Sequence, residues 1–153
     1  MEELTFQQFI TTINRMYKEE DDIYRRVARH SGLSDAAFWI LYAMEMAQGP
    51  ATQTEIGSTL VLSKQTINSA LKQLEHSGHI RLTSGPGRKK YVQLTRQGQA
   101  LSDRAIRPTL EVERGAFLGL AEEERASLLA LERKYLSLLL REAEAILNTP
   151  QEE

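Results

Sequence analysis

Apolar positions recur at three- and four-residue steps from Leu4 to Val27, through Phe6, Phe9, Ile10, Ile13, Met16, Tyr17, Ile23 and Tyr24. That spacing gathers them on one side of a helix over 4–29, ended by His30-Ser31-Gly32. Ser34 is placed to cap a second helix, Asp35 to about Ala47, with Asp35 at its positive end. Phe38, Trp39, Ile40, Leu41, Tyr42, Met44 and Met46 make this helix apolar on most sides, which predicts burial. Gly49-Pro50 breaks it. Thr52-Gln53-Thr54-Glu55 then has the spacing of a capping box and opens a short helix to about Thr59, burying Ile56 and Leu60.

After a Val61-Leu62 turn, Ser63 caps a helix that runs to about His76. Leu62 and Ile67 stand at the two positions of a hydrophobic staple. Ile67, Ala70, Leu71 and Leu74 fall on one face, while Lys64, Gln65, Asn68, Ser69, Lys72 and Gln73 occupy the other. Ser77-Gly78 closes this helix. His79 to Thr83 and Arg88 to Leu94 alternate as two strands around a Ser84-Gly85-Pro86-Gly87 turn. Thr95 caps a long helix that Pro108 is expected to kink or interrupt. Leu110, Val112, Phe117 and Leu118 continue its apolar face. Glu122, Glu123 and Glu124 suit the start of a last helix, which carries Leu128, Leu129, Leu131, Tyr135, Leu136, Leu138, Leu139 and Leu140 and ends near Asn148. Residues 149–153 are expected to fray. The fold class is mainly α with a small β-wing, in one domain over 1–153. A winged helix-turn-helix at about 34–95 lies between long helices at about 4–29 and 96–148.

Composition narrows the chemistry. The 153 residues are 41% hydrophobic and 26% charged, ordinary values for a globular chain. Cysteine is absent, which excludes disulfide scaffolds, thiolate metal sites and cysteine nucleophiles. The opening MEELTFQQFITTINRMYKEE lacks the basic start and unbroken apolar stretch of a secretory signal. No charge-free apolar run approaches the roughly 18 residues of a membrane span, so the expected location is the cytoplasm, with no membrane partner. A net charge of -2 argues against nucleic acid until its distribution is considered. From Val61 to Arg96 seven basic residues face one acid, Glu75, so this segment carries +6 and the remainder -8. A compact basic block in an acidic chain is the footprint of a polyanion-binding face.

The order of short helix, tight turn, polar-faced helix and basic hairpin fits double-stranded DNA. An α-helix fills the major groove, and Gln65, Asn68, Ser69 and Gln73 can both donate to and accept from base edges. Lys64 adds a cation at the helix N-terminus, where an incoming phosphate would be favoured by amides, dipole and ammonium together. Ser63, Thr66 and Lys72 complete the candidate set on this helix. In the wing, Arg88, Lys89 and Lys90 have no buried role, and Arg88 is the residue expected to enter a minor groove. A winged helix used for protein–protein assembly is the alternative, but it would expose apolar residues where this helix shows Lys, Gln, Asn and Ser. No phosphate-cradling loop, nucleophile elbow or cluster of His and carboxylates suggests an enzyme, and no cofactor is implied. His76 and His79, three residues apart with only Glu75 nearby, make a poor metal site. His30 is assigned to the C-terminal end of the first helix.

The stretch from Thr52 to Leu101 resembles the MarR family of multiple-antibiotic-resistance regulators. The matching residues are Thr52 and Glu55-Ile56; Ser63 and Ile67; Leu71, Leu74-Glu75 and Gly78; then Val92, Leu94-Thr95 and Gly98. Two long helices before and two after extend the likeness over nearly the whole chain. Two departures stand out. Pro86, Gly87 and Arg88 occupy the places where the family's wing usually has Asp-Arg-Arg, and Asn68-Ser69 replaces a frequent Thr-Arg. The resemblance implies a ligand-responsive repressor. It also implies a homodimer whose first and last two helices interlock as dimerisation helices. The leucine-rich last helix supports that independently, its apolar arc being too wide for one face of a small monomer. Two-fold symmetry then predicts a pseudo-palindromic operator with half-sites about 10 bp apart. The resemblance further implies a small effector between winged lobe and dimerisation helices. Phe9, Ile13, Tyr17, Phe38, Trp39 and Tyr42 are the candidates for a pocket accepting a small aromatic molecule, although aromatic residues at helical spacing usually build a core. The cysteine-based peroxide sensing of some relatives is excluded.

Overall fold

The computed structural model describes residues 3–85 and 89–148. The chain divides into two compact units, Met1–Leu110 and Glu111–Glu153. The first contains α1 (Phe6–His30), α2 (Asp35–Ala47), β1 (Ala51–Thr52), α3 (Gln53–Thr59), α4 (Lys64–His76), β2 (Ile80–Ser84), β3 (Lys90–Leu94) and the larger part of α5 (Arg96–Gly119). The end of α5 and α6 (Glu122–Leu147) make the second.

Side-chain caps decide most helix starts. Thr5 accepts from the Gln8 amide at 3.3 Å, and the Gln8 side chain accepts from the Thr5 amide at 2.9 Å. This box starts α1 at Phe6 and leaves Leu4 outside it, exposed. His30 belongs to the last turn of α1, and the C-cap is Ser31. Ser34 caps α2 by accepting from the Ala37 amide at 3.3 Å. Phe38, Ile40, Leu41 and Met44 of α2 are buried, whereas Trp39 and Tyr42 are half-buried and Met46 is exposed. The expectation of burial all round is therefore corrected: one edge of α2 reaches the surface.

The core of the first unit joins Phe38, Ile40 and Leu41 to Ile56 of α3, Ile67, Leu71 and Leu74 of α4, Ile80 and Val92 of the sheet, and Leu101 and Ile106 of α5. The hairpin pairs Ile80 with Leu94 and Ser84 with Lys90. A third strand, absent from the sequence reading, pairs Ala51 with Val92 and Thr52 with Tyr91, giving the antiparallel order β1-β3-β2. At two residues, β1 is too short for alternation to register.

The start of α5 is fastened to the end of α4. The Thr95 hydroxyl donates to the Gly78 carbonyl at 2.6 Å and accepts from the Gly98 amide at 3.0 Å, capping α5. Gly98 is buried so tightly that a Cβ there would lie 1.8 Å from the His79 carbonyl oxygen. Gly78 has φ +76°, a backbone geometry that favours glycine. Ser102, fully buried in α5, donates to Glu45 of α2 at 2.8 Å, and Arg107 reaches the same carboxylate at 3.2 Å. Pro108 lies inside a continuous α5, so of the two expected outcomes, a kink or an interruption, the interruption is corrected. Proline at 108 removes the amide partner of the Arg104 carbonyl, but both residues lie on the exposed side, where water can serve that oxygen.

In the second unit, Glu124 accepts from the Ala121 amide at 2.7 Å at the start of α6. Arg125 stacks its guanidinium 4.1 Å from the Phe117 ring centroid. No residue of α6 is buried. Among the described residues, no helix is long and apolar enough to cross a membrane.

Candidate nucleic-acid interface

The site begins with Thr52, which is at once the end of β1 and the N-cap of α3. Its hydroxyl accepts from the Glu55 amide at 3.2 Å. The Glu55 carboxylate accepts from the Thr52 amide at 2.7 Å and the Thr52 hydroxyl at 2.8 Å. These two bonds, the backbone one first, hold the Glu55 carboxyl below its ordinary value of 4.5; partial desolvation opposes the shift and the positive charge of Lys89 adds slightly to it. The reciprocal cap joins the wing sheet to the first helix of the helix-turn-helix.

Ser63 starts α4 by accepting from the Thr66 amide at 3.1 Å, and the two hydroxyls share a further bond at 2.7 Å. Ile67, Ala70, Leu71 and Leu74 are buried. That orientation leaves Lys64, Gln65, Thr66, Ser69, Lys72 and Gln73 exposed together. Gln65, Thr66, Ser69 and Gln73 also border a shallow concavity with Ser34 and Ala36. Asn68 is half-buried, and its Oδ1 accepts a hydrogen bond from the side-chain amide of Gln53, the first residue of α3. Gln53 was missed in the sequence because its link to Asn68 is tertiary, and residue spacing carries no sign of it.

In the wing, Lys89 and Lys90 are exposed, and the Lys89 carbonyl accepts from the Gly85 amide at 2.9 Å. Arg88, with Pro86 and Gly87, lies outside the described residues. Arg81 of β2 donates to Gln93 of β3 at 3.2 Å. His79 shares a hydrogen bond with the Ser77 hydroxyl at 2.7 Å.

The six residues proposed for an effector pocket are distributed unevenly. Phe38 is fully buried core. Trp39 and Tyr42, with ring centroids 5.3 Å apart, line a largely apolar cavity of about 410 Å³ with Ala43, Met46, Ile56 and Leu60. Phe9, Ile13 and Tyr17 rise along α1 at four-residue steps and are not among the residues lining that cavity. A second cavity of about 560 Å³ takes Glu45, Gln93 and Arg107 from three elements, beside Met44 and Leu110. No sequence pattern pointed to it.

The arrangement is similar to that of known proteins. Residues 31–90 match the MarR family. The HTH-type transcriptional regulator PecS of Dickeya dadantii is 30% identical over 126 residues, which are 80% of this chain and 76% of that protein. The HTH-type transcriptional repressor NicR of Pseudomonas putida is 27% identical over 81% of this chain and 79% of its own. Among solved structures, NMB1585, a MarR family regulator from Neisseria meningitidis, is similar with a TM-score of 0.70 at 23% identity, covering 91% of this chain and 95% of that one. The S. aureus MepR–DNA complex gives 0.62 at 23% identity, over 90% and 99%. The organohalide-sensing regulator RdhR-CbdbA1625 in its 2,4-dichlorophenol-bound form gives 0.62 at 17% identity, over 99% and 93%.

Proposed function

The chain belongs to the MarR family and is a DNA-binding transcriptional regulator, and from that premise we propose that it works as a homodimeric repressor on a pseudo-palindromic operator. Each copy lays α4 in a major groove. Two-fold symmetry places the half-sites about 10 bp apart, centre to centre. The observation that carries this reading is the division of α4: four apolar residues buried, and an outer face that is wholly polar, with lysine, amide and hydroxyl groups from Lys64 to Gln73 and Glu75 and His76 exposed in its last turn. A helix with that face suits base edges and phosphates and offers nothing to an apolar protein partner.

Lys64 at the start of α4 and Lys89 and Lys90 at the wing are assigned to phosphates, and Arg88 to the minor groove. Ser63 and Thr66, hydrogen-bonded to each other, hold the entry of α4 and add hydroxyls beside Lys64. Gln65, Asn68, Ser69 and Gln73 are assigned to bases, and Lys72 to the adjoining backbone. The second copy is assigned to the dimerisation helices, whose leucines stand exposed in one chain.

The effector we assign is a small aromatic molecule. Supporting it are the apolar cavity at Trp39 and Tyr42 and the 2,4-dichlorophenol held by the RdhR regulator. Such a molecule acts only through unequal affinity for the DNA-competent and incompetent arrangements of the dimer. Selection from random duplex DNA by the full-length protein tests the reading. The expected product is an inverted repeat that loses affinity as salt rises. Recovery of unrelated sequences at every salt concentration would overturn it.

A further inference from the structure

Gln53, the first residue of α3, reaches across to α4: its side-chain NH2 donates to Asn68 Oδ1. Both residues are half-buried, so water competes less for this bond than on open surface. A carboxamide has a donor end and an acceptor end, and half a turn about its last bond exchanges them. An untethered Asn68 would present either end to a base. With Oδ1 engaged by α3, the two Nδ2 hydrogens are what Asn68 has left to offer a base.

We propose that Gln53 is a positioning residue for base recognition, fixing Asn68 as a hydrogen-bond donor so that each half-site carries guanine or thymine at the base it meets. Guanine offers O6 and N7 and thymine offers O4, all acceptors; cytosine offers only its N4 donor there, and adenine offers one of each. The inference rests on the reading that α4 enters the major groove.

Exchanging the polarity of residue 53 makes the test sharp. In Gln53→Glu the carboxylate can only accept. Asn68 must then turn its NH2 toward residue 53 and present Oδ1 outward, which suits the N4 donor of cytosine or the N6 donor of adenine. A carboxylate in the first turn of α3 is compatible with the helix dipole, so the fold is kept.

The experiment is selection from random duplex DNA with full-length wild type, Asn68→Ala, Gln53→Ala and Gln53→Glu, each checked by thermal melting. Preferences are compared within each selection, so a general loss of affinity from the added negative charge does not count. Wild type is expected to favour guanine or thymine at one base pair per half-site. Asn68→Ala and Gln53→Ala should flatten that position about fivefold and leave the others. Gln53→Glu should move it toward cytosine or adenine by a similar factor. A Gln53→Ala protein that binds every sequence equally less well, with that position unchanged, overturns the proposal and leaves a structural role. A Gln53→Glu protein that keeps the wild-type consensus also overturns it, and this variant decides alone if Gln53→Ala does not fold. Should Asn68→Ala keep the wild-type consensus, Asn68 is no reader and the proposal falls with that assignment. If wild type enriches no sequence at all, the DNA reading itself has failed.

Discussion

Helices α4 and α6 are both rich in apolar residues, yet they end with opposite surfaces. In α4, Ile67, Ala70, Leu71 and Leu74 are buried against the rest of its own unit, and what remains outside is polar. In α6 nothing is buried, and Leu131 and Leu139 are 64% and 52% exposed. Burying one such leucine stabilises by about 1.5–3 kcal/mol, so an arc of them left in water is a standing drive toward association. The apolar face of α4 has found its partner within the chain, which frees the outer face for a polyanion. The apolar arc of α6 stays exposed in one chain, and on the proposal above a second copy covers it. One helix is finished by folding, and the other is left for the proposed assembly.

The largest predicted effect breaks the assembly side of this contrast. Leu131→Asp with Leu138→Asp puts charge on one stripe of α6. The protein is expected to sediment as a monomer at micromolar concentration, with its helical circular dichroism kept. Operator affinity should fall about 100-fold or more, because the two half-sites then bind independently. A dimer that persists would mean that α6 is not in the interface.

Next in size is Gly98→Ala, which attacks the folding side. The added methyl would meet the His79 carbonyl at 1.8 Å, so the start of α5 must move off the end of α4. The expected cost is about 3 kcal/mol, a fall of roughly 10 °C in melting temperature. An unchanged melting curve would show that this junction yields freely.

Thr52→Ala removes the cap that joins sheet to α3 and is expected to cost about 1 kcal/mol in denaturant titration. Its pH behaviour follows from Glu55. That carboxyl is held below its unfolded value, chiefly by the Thr52 amide and then by its hydroxyl. Its contribution is complete above the ordinary glutamate value of 4.5 and is lost as pH falls through the lower folded value. Glu55→Gln should therefore flatten the pH dependence of stability on the acidic side of 4.5 and leave it unchanged at neutral pH. Equal slopes in the two proteins would contradict the cap's role.

The smallest effect sharpens the binding side. Lys64→Ala should weaken operator binding several-fold and make the salt dependence shallower by about two units per dimer, one phosphate contact per copy. An identical slope would remove Lys64 from the phosphate set.

Much of the fold was legible because its signals are local. Ser34, Ser63 and Thr95 each cap the helix that follows them, and the three- and four-residue spacing of Ile67, Ala70, Leu71 and Leu74 marks a face that is buried. What stayed hidden depends on distant partners. β1 exists only because β3 offers it a ladder, and Gln53 joins the site through a residue fifteen places away. Pro108 did not end its helix: the proline rule describes a lost hydrogen bond, and water can supply one on an exposed side. The effector candidates divide for a similar reason. Helical spacing alone does not distinguish Phe38, which is core, from Trp39, which borders a cavity.

The central claim is that a second copy closes the apolar arc of α6 and thereby fixes the distance between two α4 helices. Operator spacing measures this most directly. Once the selected inverted repeat is known, duplexes with 5 bp inserted at its centre turn one half-site to the opposite side of the DNA. The account predicts that affinity falls to that of a single half-site. Full affinity on the lengthened duplex would contradict it.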